Sequence, residues 1–133
     1  MEQRSLSRTS PLAALIFELL NASTKLHLIH LSVTGAGSYA AHKALNEIYD
    51  SIKSFADDLA EQYQGLTETL LVFPTSEAFP KTVTGSEAIV YLRELYSKVE
   101  SVQKTCNYSE INNTLDEIKS LINTTKYKLL FLK

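Results

Sequence analysis

Cysteine, tryptophan, proline and glycine are all scarce in this chain, and each scarcity removes a class of protein. Cys106 is the only cysteine among 133 residues, so no intrachain disulfide can form and a reducing compartment is the default expectation. The Asn-x-Ser/Thr triplets at Asn21, Asn107, Asn112 and Asn123 carry no glycosylation reading without secretion, and no secretory leader is recognisable. Apolar runs such as Leu129 to Leu132 are far too short to span a bilayer. Neither charge is in excess: 13 Lys and Arg against 15 Asp and Glu leave a net charge of −2. That balance argues against non-specific nucleic-acid binding, which needs a cationic surplus or a basic patch. The segment MEQRSLSR is a thin basic arm at most. The expectation is a soluble, cytoplasmic protein with no membrane and no nucleic acid among its partners.

What is present is ordinary for a folded domain: 44% hydrophobic and 21% charged residues. The length suits a single domain over 1–133, with one core and no room for a second. Ser10-Pro11 is a helix start, a serine cap with proline at the first helical position. Leu12, Leu15, Ile16, Leu19, Leu20, Leu26, Ile29 and Val33 follow at helical spacing until Gly35-Ala36-Gly37, predicting a first helix over 11–33. Ser38 is placed to cap a second helix over 38–65, in which Ala41, Leu45, Ile48, Ile52, Phe55 and Leu59 step by three and four up to Gly65. Pro74, Pro80 and Gly85 then forbid a continuous helix, while Leu70, Leu71, Val72 and Phe73 are too apolar for a solvated linker. The reading for 66–84 is a crossover lying against the bundle, with room for a short helix near 67–73. Thr84 or Ser86 opens a third helix over 85–104, built on Ile89, Leu92, Leu95, Tyr96, Val99 and Val102. Ser109 caps a fourth over 109–132, built on Ile111, Leu115, Ile118, Leu121 and Ile122. No segment alternates with period two and no repeat is present. The fold class is therefore all-α: a ferritin-like four-helix bundle with one long connection between its second and third helices.

The densest chemistry lies in HLSVTGAGSYAAHKALNEIYDSIKSFADDLAE. His30 and His42 stand twelve apart, Asp57 follows fifteen further on, and Glu61 four beyond that. Imidazole and carboxylate suit iron, manganese or zinc. One chain cannot gather all four. On a continuous helix His42 and Asp57 are about 22 Å apart at 1.5 Å per residue. Asp57 and Glu61, one turn apart, can share an ion, and His30 can reach across the glycine turn to His42. A two-fold axis near Tyr49 and Asp50 would bring His30 and His42 of one copy beside Asp57 and Glu61 of another, giving two equivalent sites per dimer.

These residues resemble the Dps proteins, the miniferritins of the ferritin-like superfamily. HLSVTGAGSYAAH is similar to the family's His-Trp-x-x-x-Gly-x-x-Phe-x-x-x-His stretch, with Gly35 at the glycine and the aromatic Tyr39 close by. ADDLAEQYQGL is similar to its Asp-x-x-Ala-Glu-x-x-x-x-Leu run. The likeness is dense over 27–66 and architectural beyond. It implies metal ligation by His30, His42, Asp57 and Glu61, and ferroxidase chemistry at that intersubunit site. It also implies Fe2+/Fe3+ as the metal, with Zn or Mn as substitutes, and a hollow dodecamer of two-fold dimers storing iron. Three departures stand out. Leu31 replaces the family's tryptophan, Asn46 replaces a further acidic ligand, and no lysine-rich tail is present. Lys43 also adds positive charge beside His42. These changes fit one metal ion per site better than two. The alternative reading is a catalytically weakened ferritin-like structural or assembly protein, such as a component of a viral particle, found in a virion or host cytoplasm.

Overall fold

The computed structural model describes residues 10–74 and 87–132, and these form four α-helices with no strand among them. They are α1 (Pro11–His30), α2 (Ser38–Thr67), α3 (Ala88–Thr105) and α4 (Ser109–Phe131). The Ser10 hydroxyl accepts from the Ala13 N–H at 3.1 Å and fixes the start of α1 with Pro11 in the first turn. The end comes three residues sooner than the apolar pattern predicts. Beyond Leu31, whose N–H still donates to the His27 carbonyl, both the N–H and the hydroxyl of Ser32 bond to the Ile29 carbonyl at 2.9 and 2.8 Å. A serine hydroxyl competing for that carbonyl closes the helix. Gly35 and Gly37 then adopt φ of 88° and 79°, left-handed backbone that glycine enters without penalty, and reverse the chain in seven residues.

Ser38 does not cap α2. It is the first helical residue, its N–H bonds to the Gly35 carbonyl at 3.0 Å, and Gly37 occupies the cap position with no side-chain bond. Gly65 does not end α2 either. A glycine inside a helix costs about 1 kcal/mol and does not break it. The helix runs on to Thr67 and stops where Glu68 turns left-handed at φ 56°. No helix forms over 68–74, where Pro74 and the left-handed Glu68 leave no room for one. The predicted starts of the third helix at Thr84 or Ser86, and most of the predicted crossover, lie outside the described residues. Ser109, like Ser38, is a first helical residue and not a cap; Tyr108 holds the cap position of α4.

Four apolar stripes meet in one core. Leu19, Leu26, Leu45, Ile48, Ile52, Leu59, Leu92, Leu95, Leu115 and Ile118 are fully buried in it. Among the described residues α1 is the helix long and apolar enough to cross a membrane by composition, and here its apolar residues line the bundle. Leu20, predicted for the core, is exposed instead. Side-chain pairs set the helix directions. Ser23 bonds to the Tyr49 carbonyl, pairing α1 with α2. Gln62 bonds to Thr114 and Lys128 to Glu47, so α2 and α4 are antiparallel. Lys25 lies over Tyr91 and Lys98 near Glu18, so α1 and α3 are antiparallel. Gln103 bonds to the Asn112 carbonyl and Lys126 lies over Tyr96, so α3 and α4 are too.

Candidate metal centre

The turn between α1 and α2 brings two histidines together. His30 is the last residue of α1 and His42 lies in the second turn of α2; their rings stack with centroids 3.6 Å apart. The His42 Nδ1 lies 3.3 Å from the His30 carbonyl oxygen. A proton on Nδ1 donated to that carbonyl leaves Nε2 with its lone pair facing outward, the tautomer a metal needs. His30 itself is 6% exposed, and neither of its ring nitrogens has a hydrogen-bond partner among the described residues. Burial pushes its pKa below the usual histidine range, and the nearby His42 and His27 push the same way. The ring is therefore held neutral, the form that ligates a metal.

Further along α2 the other pair stands apart. Asp57 and Glu61 are exposed one turn from each other and have no hydrogen bond or ion pair among the described residues. Because α2 is one unbroken helix, about 22 Å separates His42 from Asp57 along its axis. Among the described residues no three His, Cys, Asp or Glu side chains converge on a single point. One chain thus brings His30 to His42 and sets Asp57 beside Glu61, without bringing the two pairs together.

Several neighbours of the histidines escape a linear reading. His27 stacks on Tyr49 at 4.2 Å, and Tyr49 meets His30 edge-on at 5.2 Å. The Tyr49 hydroxyl donates to the Asn46 Oδ1 at 2.7 Å. The one oxygen that Asn46 could offer a metal already accepts one hydrogen bond. The signal was available, since 27 and 30, like 46 and 49, are three apart and share a helix face. Lys43 lies over the Tyr39 ring at 5.8 Å, on the rim of the same end.

A second polar cluster joins α1 to α3. The Glu18 carboxylate accepts from the Tyr91 hydroxyl at 3.0 Å and has Lys98 and Lys25 at 3.6 and 4.0 Å. Burial, then Glu18, raises the Tyr91 pKa, so its phenol stays protonated and donating. Here the charges lock two helices together.

The chain belongs to DUF5856, a family of unknown function, whose match covers residues 30–129 and so includes His30, His42, Asn46, Asp57 and Glu61. No curated protein and no solved structure matches it.

Proposed function

We propose that this DUF5856 protein is a Dps-like miniferritin, in which two copies pair through α1 and α2 to complete an iron site. The observation that carries the reading is His30: a buried imidazole with both nitrogens unpartnered among the described residues, stacked on a second histidine. An orphaned buried polar group costs about 1–3 kcal/mol, which an occupant between two copies would relieve. A carboxylate pair on the same helix, about 22 Å away, becomes that complement once a second α2 runs antiparallel to the first. Charge along α2 supports the pairing, with His42 and Lys43 toward one end and Asp57, Asp58 and Glu61 toward the other. So does the apolar outer face of α1, where Leu20, Leu28 and Leu31 are 40%, 47% and 67% exposed around a groove of about 320 Å³.

Topology points the same way. The antiparallel pairings make α2 and α3 parallel, the helix directions that a ferritin-like bundle with one crossover requires. In this reading Fe(II) is the substrate. His30 and His42 of one subunit and Asp57 and Glu61 of the other bind it, and peroxide or oxygen takes its electron. The ferric product is stored inside a hollow assembly of about twelve subunits, the shell size that the resemblance implies. The test is growth of ferric absorbance after Fe(II) and peroxide, in the wild type and in a His42→Ala/Asp57→Ala variant. The wild type should oxidise and the variant should not; equal inertness in two assembled proteins would end the enzyme reading.

The engagement of Asn46 by Tyr49 favours a second reading, a ferritin-like assembly protein that keeps the pairing without turnover. Solution mass separates a closed shell from a smaller assembly. Gain of oxidation in Asn46→Asp would identify chemistry that this chain has lost.

A further inference from the structure

We infer that Lys53 of the partner subunit belongs to the same site, where its ammonium takes the place of a second metal ion opposite Asn46. The inference rests on the two-fold pairing proposed above and follows from the register of α2. An axis midway between Tyr49 and Asp50 matches each position with the one that brings the sum of their numbers to 99. His42 then meets Asp57 of the partner subunit, and by the same rule Asn46 meets Lys53 of the partner subunit. Tyr49 meets Asp50 of the partner subunit. Of these, Asn46–Lys53 joins an acceptor directly to a donor, whereas His42 and Asp57 need an ion between them.

The helix makes the Asn46–Lys53 match central. Seven residues are two turns less about 20°, so the two side chains leave α2 in nearly one direction, about 10 Å apart along the axis. Both are exposed on one helix that runs without a break from Ser38 to Thr67. Lys53 lines the groove that also holds His27, Leu28 and Leu31, so it lies on the face that would meet a second copy.

Asn46 is suited to receive an ammonium. A carbonyl oxygen has two lone pairs, and the Tyr49 hydroxyl uses one of them at 2.7 Å. The second is open to a donor. An acidic residue at 46 would attract a second divalent ion, whereas an amide facing a lysine repels one. The His30/His42 pair and the partner's carboxylates then hold a single ion, with a fixed positive charge one helical turn away.

Two measurements test this. In a Cys106→Ser background, Asn46→Cys and Lys53→Cys together should give a disulfide-linked dimer on mild oxidation, and neither alone should. The two positions are too far apart along one helix to bridge within a chain. Zn(II) titration followed by equilibrium dialysis should give one ion per subunit for the wild type and two for Asn46→Asp/Lys53→Met. Zinc binding without the cross-link would overturn the placement of Lys53 while leaving the dimer standing. A cross-link with two ions in the wild type, or with only one in the double variant, would overturn the role of the ammonium. Absence of both zinc binding and cross-link would remove the two-fold reading and this inference together.

Discussion

Replacing His30 with leucine should make the metal-free chain more stable while abolishing metal binding. A neutral imidazole carries one donor and one acceptor, and in His30 both are buried without partners. Each such group costs about 1–3 kcal/mol when left unpaired. Leucine removes that penalty and keeps an apolar side chain against Ile29 and the core. The losses are the ring contacts with His42, Tyr49 and His27, each worth about 1 kcal/mol. With the two unpaired groups at about 2 kcal/mol each, the net gain is about 1 kcal/mol. For a domain of this size that is a rise in Tm of roughly 3–5 °C. The assay is thermal unfolding by circular dichroism in EDTA, at a dilution where the chain is monomeric. A His30→Leu chain that unfolds at a lower temperature than wild type would mean that His30 is a satisfied structural residue, and the argument for an occupant would fall.

The same substitution carries a pH signature. Burial, with His42 and His27, holds the folded-state pKa of His30 below the ordinary 6.5. Below 6.5 the unfolded chain therefore takes up a proton that the folded chain resists. Stability is full above 6.5 and declines as the pH falls from 6.5 toward the lowered folded value. The His30→Leu chain should lose that part of the acid slope, so its advantage over wild type should widen from pH 7 to pH 5. A constant difference across that window would refute the assignment.

Leu28→Glu with Leu31→Glu should leave helicity and Tm nearly unchanged, since both leucines are exposed, yet should prevent self-association in sedimentation velocity; an unchanged oligomer would show that the outer face of α1 is not the interface. Leu19→Ala empties a fully buried position among the helices and should destabilise by about 3–4 kcal/mol in urea unfolding. A cost below 1 kcal/mol would mean that the core repacks freely there. Gly35→Ala has open space around the new methyl, but φ of 88° penalises any side chain, at about 1–2 kcal/mol. Because that turn sets His30 against His42, Zn(II) affinity should fall with stability; unchanged affinity would uncouple the turn from the site.

Much of this molecule was legible in the order of its residues because helices report locally. The periodicity of Leu45, Ile48, Ile52 and Leu59 follows from 3.6 residues per turn and requires no knowledge of the other helices. Helix ends were less legible. Serine at 38 and 109 looks like a cap from its chemistry, but which residue leaves helical geometry depends on the turn before it. At 38 the two left-handed glycines shift the cap to Gly37, and at 109 the extended Tyr108 takes that place. Leu20 illustrates a different limit. It carries the apolar period, but in this fold no helix covers it, and a monomer's sequence cannot say whether another copy will. The His30–His42 contact could be anticipated from the glycines between them. That Asn46 and Tyr49 share a helix face could be anticipated too, but not that they bond, which depends on two rotamers.

The number of ions per site decides how the proposed site can meet peroxide. Reducing peroxide to water takes two electrons, and one Fe(II) gives one. A site with two ions completes the reduction in a single encounter. A site with one ion must either find its second electron elsewhere or release a one-electron product. In the proposed dimer the twin site cannot help directly, because the spacing that separates His42 from Asp57 also separates the two sites, at about 22 Å. If Lys53 of the partner subunit faces an Asn46 amide held by Tyr49, two residues on one helix set the site against two-electron chemistry. Stoichiometry measured with a redox-inert ion such as Zn(II) reads that choice without requiring turnover. One ion per subunit means that each site passes on one electron at a time, and two ions mean that a site reduces peroxide in a single encounter.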